Sequence, residues 1–376
     1  MHRSSVNSFA VSGVERGGLA LEGFAGEGDH IVEGVLKSPD GRWFPIRDGV
    51  PSFLTGALRR DLTEFAERYG LTEHRAAKGA TATIEQAMTT ATFSHKWRRF
   101  KNYGLQPEHE AFLFGWYCRK FGLPESRNEL ISFYASRRRV LEVGPGSGFN
   151  TRFIAQHCPG EVFAVDISDG AFTTFGNTRH LQNCTVVQAD LMDLPFADES
   201  FDLIIADGVL HHTPDTRAAV DALYRKLAPG GQFFFYLYKK MGASRQFADA
   251  HIREHFVKLD PEDCYEACKA ITDLGRELSN LNAKLTLDKP IPALGIPAGT
   301  HDVQRLVYYN FVKCFWNEAF DYETNNMVNF DWYHAHTASQ HDREEVEEWL
   351  KALGIADYQF NDANPNGLSV LLMKPI

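Results

Sequence analysis

The stretch from Val140 to Thr151, Val-Leu-Glu-Val-Gly-Pro-Gly-Ser-Gly-Phe-Asn-Thr, sets Gly144, Gly146 and Gly148 at alternate positions behind a short apolar run. An apolar run, a glycine cluster and a helix-like continuation from Phe149 read as a strand, a tight turn and a helix start. Glycines there let the backbone bend sharply and approach a ligand that side chains would hold off, so a nucleotide-like ligand is expected. The competing reading is a plain turn with no ligand. Further along, Asp166, Asp190 and Asp207 close or follow apolar runs, and His211 and His212 come soon after the last of these. Either imidazole can take a proton from a hydroxyl, amine or thiol near neutral pH. The alternative makes Leu-His-His-Thr a helix entry capped by Thr213 or Asp215.

Spacing separates two ligand classes. A dinucleotide fingerprint needs Gly-x-Gly-x-x-Gly, and counting from Gly144 its third glycine position holds Phe149. The order Glu142, Gly144, Gly146, Gly148 instead resembles the first motif of class I S-adenosylmethionine (SAM)-dependent methyltransferases. Four further stretches extend the resemblance in order. Glu161 to Asp166 ends in an acid 18 residues past Gly148, and Val186 to Asp190 ends in another. Phe201 to Leu210 runs into the histidine pair, and Leu227-Ala-Pro-Gly-Gly231 leads into Gln232 to Tyr238.

The resemblance implies SAM as cofactor, S-adenosylhomocysteine (SAH) as product, and methyl transfer by in-line displacement. It assigns the cofactor to Glu142, Gly144, Pro145, Gly146 and Gly148, to Asp166 for the ribose hydroxyls, to Asp190 for the adenine, and to Ile167, Leu191, Asp207 and Gly208. For Asp166 the competing reading is a strand-end acid that caps the turn at Ser168. No universal catalytic residue exists in such enzymes, so the catalytic candidates His211, His212, Tyr238 and His336 rest on placement. Trp97, Tyr103, Tyr236, Tyr333 and His334 are candidate contacts to the methyl acceptor, with Phe93 beside them; core packing competes for each aromatic ring. His251 and His255 share a helical face, but His-Ile-Arg-Glu-His lacks the Glu that follows the first His in a zincin, and no metal is expected.

These residues need a frame. Alternating strands and helices over 139–240 predict an α/β protein with a doubly wound, seven-stranded Rossmann-like sheet, parallel with one antiparallel edge strand, whose ligand lies beyond the carboxyl ends of the strands. Residues 1–58 read as a small β-rich module and 59–138 as a helical cap in which the pattern turns helical from Arg60. The Gly41 to Pro51 segment of the module resembles a zinc-ribbon-like domain found with some methyltransferases, but Ser38 and Asp40 stand where that family has cysteines. Packing through Trp43, Phe44, Phe53 and Leu54 is expected to hold it without metal. Residues 241–340 read as a mainly helical insertion after strand five that covers the substrate pocket, broken from Lys289 to Thr300. Residues 341–376 return to the sheet through a helix, Glu344 to Leu353, and a strand pair turning at Asn364 to Gly367.

With a net charge of −10 over 376 residues, a broad phosphate-binding surface is disfavoured, and nucleic acid with it. No run of 18 apolar residues occurs, the amino terminus lacks a signal-peptide core, and the six cysteines are scattered. The expectation is a cytoplasmic protein without a membrane span, methylating a small-molecule acceptor; the target atom and the oligomeric state stay open. Two other readings also stay open: a SAM-binding partner without transferase activity, and a NAD(P)-dependent oxidoreductase.

Overall fold

The computed structural model describes residues 1–14, 17–59, 61–72, 82–361 and 365–376; Arg60 and Asn364, named above, lie outside them. β1 (Ala20–Glu27), β2 (His30–Lys37), β3 (Trp43–Arg47) and β4 (Val50–Pro51) form an antiparallel sheet in chain order. Asp48 and Gly49, between the last two, take φ of 48° and 80°, the left-handed pair a two-residue hairpin turn demands. One face packs Val35 and Trp43 on Leu62 and Phe65, the latter in α1 (Thr63–Arg68). The other sends Leu36, Phe44, Ile46 and Phe53 into the main core. At the two positions where a zinc ribbon has cysteines, Ser38 bonds Asp40, and Arg42 Nε donates to Asp40 Oδ2 at 2.8 Å. An ion pair and hydrogen bonds thus close this turn.

α2 (Ile84–Arg99), α3 (Pro107–Phe121) and α4 (Arg127–Ala135) lead into the alternating unit: β5 (Arg139–Val143), α5 (Phe149–His157), β6 (Glu161–Asp166), α6 (Gly170–Thr178), β7 (Cys184–Gln188), β8 (Phe201–Asp207), α7 (Thr216–Lys226) and β9 (Leu227–Tyr238). An insertion follows, with α8 (Ala243–Phe256), α9 (Pro261–Asn280), β10 (Lys284–Leu287), β11 (Gly299–Asp302), α10 (Val303–Asn310) and α11 (Tyr322–His334). The chain closes with α12 (Arg343–Ala352), β12 (Tyr358–Phe360) and β13 (Gly367–Met373). The seven strands lie in the order β12-β13-β9-β8-β5-β6-β7, and β13 alone runs against the rest. β5, β6 and β8 are apolar along most of their length because helices cover both faces of the sheet. The β1–β4 module extends the far edge: Ser52 pairs in parallel with Gln188 of β7, and Phe53 N donates to Gln188 O at 2.8 Å.

Two features of the cover differ from the sequence reading. The break from Lys289 to Thr300 contains the loop of an exposed antiparallel hairpin, β10 with β11. α11 holds the Asp-Trp-Tyr-His segment inside a helix whose buried residues are largely polar, including Thr324, Asn325, Asn326 and Asn329. Those amides bond across the insertion, with Asn326 and Asn329 both meeting Thr272 Oγ1 of α9, at 2.7 and 2.9 Å.

A second polar centre fixes the insertion. The buried Asp249 carboxylate accepts from Arg245 Nε at 2.6 Å, Trp332 Nε1 at 3.0 Å, Tyr333 Oη at 3.2 Å and Lys313 N at 3.3 Å. Removing one partner of a buried ion pair leaves the other charge uncompensated, so Asp249→Ala should destabilise the protein by about 3–5 kcal/mol. The urea midpoint measures this, and an unchanged midpoint would contradict the role assigned to Asp249.

Candidate active site

The parallel strands end on one side of the sheet, and a single cavity of about 360 Å³ runs along their tips. Gly144, Gly146 and Gly148 all take positive φ, between 62° and 78°. Geometry also denies them side chains: a Cβ at 144 would overlap Val209, one at 146 the Trp97 indole, and one at 148 would lie 3.0 Å from the Thr174 backbone. Gly144 and Pro145 border the cavity. Gly146 and Gly148, expected to touch the cofactor, are covered by Trp97 and Thr174 and do not border it.

Asp166 ends β6 facing this space. Its Oδ1 accepts from Ser168 N at 2.8 Å and Ser168 Oγ at 2.6 Å, and Oδ2 accepts from Gly146 N at 3.4 Å. The acid therefore caps its own turn and also ties β6 to the glycine loop. Burial raises its pKa, opposed by the Ser168 bonds. Next to it, Ile167 and Leu191 supply apolar walls. Asp190 accepts from Met192 N at 2.9 Å on one oxygen and from Gln86 Nε2 of α2 at 2.8 Å on the other. Glu142, at the tip of β5, accepts from Asn150 Nδ2 at 2.8 Å and from the Thr151 hydroxyl. Burial pushes its pKa up to about 7 against those two bonds.

At the other end, Asp207, the last residue of β8, and Gly208 after it meet Tyr236 and Tyr238 from β9. Trp97 and Tyr103 close the side, their ring centroids 6.2 Å apart. His212 borders the cavity with Nδ1 2.6 Å from the Thr337 carbonyl. A carbonyl only accepts, so Nδ1 carries the proton and Nε2 keeps the lone pair. Burial lowers the His212 pKa to about 4, leaving the ring neutral at physiological pH.

Four candidates lie elsewhere. His211 is fully buried outside the cavity lining, stacks on Tyr238 at 3.6 Å, and has no hydrogen-bond partner for either ring nitrogen among the described residues. Its side chain packs behind the wall because its neighbour takes the inward position in the short turn they share. Tyr333 points into the Asp249 network, with its hydroxyl also donating to Lys313 O at 3.0 Å. His334 bonds Thr92 Oγ1 at 2.9 Å and Leu259 O at 3.1 Å, and His336 stands beside it, also off the lining. The residue of that segment that does reach the cavity is Asp331, one turn earlier on α11. Sequence reasoning also missed Lys96, Trp116 and Lys120 on the two covering helices. Helical periodicity in 59–138 was the available signal, but it does not say which residues look inward.

Residues 141–235 match the family model described as a methyltransferase domain. A 2-methyl-6-phytyl-1,4-hydroquinone methyltransferase from Oryza sativa subsp. japonica is 31% identical over 104 residues, 27% of this chain and 30% of that protein. A probable phthiotriol/phenolphthiotriol dimycocerosates methyltransferase from Mycobacterium ulcerans is 33% identical over 101 residues, 27% of this chain and 39% of that one. The chain thus spans about a third of the length of the curated relatives it matches. Among solved structures, the N-methyltransferase NodS from Bradyrhizobium japonicum WM9 with bound SAH aligns at a TM-score of 0.33 and 21% identity, covering 40% of this chain and 74% of that one. Among the described residues no helix is long and apolar enough to cross a membrane.

The depressed His212 has a thermodynamic consequence. Between its folded value of about 4 and the ordinary 6.5 the unfolded chain binds the proton more tightly, so this residue's contribution to stability grows as pH rises across that window. Relative to His212→Gln, the wild-type protein should gain up to about 3 kcal/mol from pH 4 to 6.5. Parallel denaturant titrations of the two proteins at several pH values measure it; parallel stability curves would show that His212 titrates as a solvated imidazole.

Proposed function

We propose that this chain is a SAM-dependent methyltransferase acting on a small-molecule acceptor. The observation that carries the reading is the continuous cavity, which joins an acid-and-apolar end at Asp166, Asp190, Ile167 and Leu191 to an aromatic end at Trp97, Tyr103, Tyr236 and Tyr238. The residues suit a nucleoside sulfonium. Asp166 keeps lone pairs for vicinal ribose hydroxyls, Ile167 and Leu191 offer flat apolar contact to a purine, and Glu142 and Asp207 complement the positive charges of the sulfonium and its amino-acid tail. When bound, SAM supplies the electrophilic methyl group and its leaving group. What remains for the protein is alignment, exclusion of water and, where the acceptor must lose a proton, a base. His212 presents its Nε2 lone pair for that role, with Tyr238 as the neighbouring hydroxyl. The two relatives are named for a 2-methyl-6-phytyl-1,4-hydroquinone and, as a probable activity, for phthiotriol/phenolphthiotriol dimycocerosates, which supports an organic metabolite as acceptor.

Calorimetric titration with SAH tests the cofactor half. Binding at micromolar level is expected, and Asp166→Ala should weaken it by about tenfold or more, because charge-assisted hydrogen bonds to the ribose are lost. Unchanged affinity in Asp166→Ala would move the ribose elsewhere. Labelled SAM offered with an acceptor panel that includes tRNA tests the other half. Label on a small organic acceptor is expected; label on tRNA would overturn the acceptor class, and a tightly bound cofactor with no transfer to any acceptor would favour a binding partner over an enzyme.

A further inference from the structure

SAM carries three charges of its own: a sulfonium, and the α-ammonium and α-carboxylate of its methionine tail. The cavity must answer each. Among the described residues its lining holds five carboxylates, on Glu142, Asp166, Asp190, Asp207 and Asp331, against two cations, Lys96 and Lys120. His212 on the same wall is held neutral by burial. The carboxylates suit the two positive centres of the cofactor. For its carboxylate the lining offers a charged partner only in Lys96 or Lys120.

Strand order separates the two lysines. Neighbouring strands follow one another as β8-β5-β6-β7, with Asp190 just past β7, Asp166 ending β6, Glu142 in β5 and Asp207 ending β8. With the adenine beside Asp190 and the ribose on Asp166, a tail that continues in the same direction passes over β5 and reaches β8. Three interstrand spacings separate β7 from β8, roughly 14 Å, a span an adenosine with an amino-acid chain on its 5′ carbon can cover. Lys120 of α3 stands at that end, its Nζ 2.5 Å from Asp207 Oδ1 and 4.2 Å over the Tyr236 ring of β9. Lys96 of α2 is tied to the roof instead, 2.5 Å from Asp331 of α11.

The surroundings of Lys120 leave it donors to give. Its side chain is 3% exposed, and Asp207 is the one oxygen acceptor its ammonium meets among the described residues. An ammonium has three N–H donors. The Trp116 face, at 4.5 Å, and the Tyr236 face steady the charge without accepting as an oxygen does. Unmet donors on a buried charged group are costly and are normally matched by protein, water or ligand. Burial lowers the Lys120 pKa against the pull of Asp207, so a second anion beside it also secures the charged form.

We infer that Lys120 receives the α-carboxylate of SAM and SAH. The inference rests on the SAM-dependent reading and deepens it with a residue outside the segment that matches the family model. Held by its ribose at Asp166 and by its carboxylate at Lys120, the cofactor has no freedom to slide along the strand tips, and its sulfur stays between the two anchors. Such fixing is the alignment that an in-line displacement needs.

The test titrates the full-length protein calorimetrically with SAH and with decarboxylated SAH, which keeps the adenosine, the sulfur and a terminal ammonium but has no carboxylate. Wild-type protein should bind SAH about tenfold or more tighter than the analogue, the worth of a charged hydrogen bond. Lys120→Met should abolish that preference by weakening SAH alone, Lys120→Arg should restore much of it, and Lys96→Met should leave it intact. Where Lys120→Met fails to fold because Asp207 is left unpaired, the double variant Lys120→Met, Asp207→Asn carries the comparison: the preference should again be lost. A preference that survives removal of Lys120, or that vanishes in Lys96→Met, would overturn the inference. Equal weakening of SAH and the analogue by Lys120→Met would do so too, reducing the pair with Asp207 to a structural latch. SAH that fails to bind wild-type protein would overturn the cofactor reading and this inference together, whereas SAH bound no tighter than its decarboxylated analogue overturns the Lys120 assignment alone.

Discussion

The contact between the Trp97 indole and Gly146 is the constraint on which the site depends. The turn after β5 holds three residues at positive φ, and the middle one has no space for a methyl group because α2 lays its tryptophan there. Asp166 accepts the Gly146 amide from the other side. One turn of chain is thereby pinned between a covering helix and the acid of the next strand. The cavity mouth, the helix above it and the candidate ribose acid share one geometry, so a change in any of them moves the others.

The roof is built from polar groups, at an energetic cost. α2 buries Thr89, Thr92, Ser94 and Lys96, and α11 buries a row of asparagines. Desolvating a lysine and an aspartate costs several kcal/mol per ion, which their attraction repays only when the geometry and the remaining hydrogen bonds are good. Here the bonds run between elements: Lys96 to Asp331, Thr92 to His334, and Thr89 Oγ1 accepting from Thr337 N at 3.0 Å join α2 to the insertion. Arg98 to Asp169 at 3.2 Å and Gln86 to Asp190 join the same helix to the strand tips. Bonds of this kind are directional, so they fix the cover in one register where a purely apolar seam would allow sliding. They also leave the inner faces of α2 and α11 rich in buried polar groups.

The histidine pair shows how finely position is divided. His211 and His212 are adjacent, and both have depressed pKa values because burial penalises the charged ring. One packs face to face on Tyr238 with no polar partner, while the other is oriented by a backbone carbonyl at the cavity wall. The orienting carbonyl belongs to Thr337, in the segment that returns from the insertion. The base candidate is therefore set by the cover as much as by the core.

The motifs from Glu142 to Tyr238 were legible as a strand, turn and helix series because their periods are set by local backbone and by burial on both faces of a parallel sheet, properties carried by neighbours in the chain. The same local rules gave the Asp-Gly hairpin at Asp48 and the closing strand pair. Glycine spacing likewise marked the tight turn after β5, since positive φ is a demand of single residues. The cover escaped this reading. α2 and α11 bury threonines, asparagines and lysines, so hydrophobic periodicity has nothing to register, and Tyr333 and His334 were preferred over Asp331 although only Asp331 reaches the cavity. Which side of a helix faces a ligand depends on what packs against its other sides, and those partners, from Arg253 to Thr337, are far away in sequence. Residue types and local spacing determined the sheet, the turn and the class of ligand; the pairing of Lys96 with Asp331 and Lys120 with Asp207, at the aromatic end of the cavity, was decided only when distant segments closed over the strand tips.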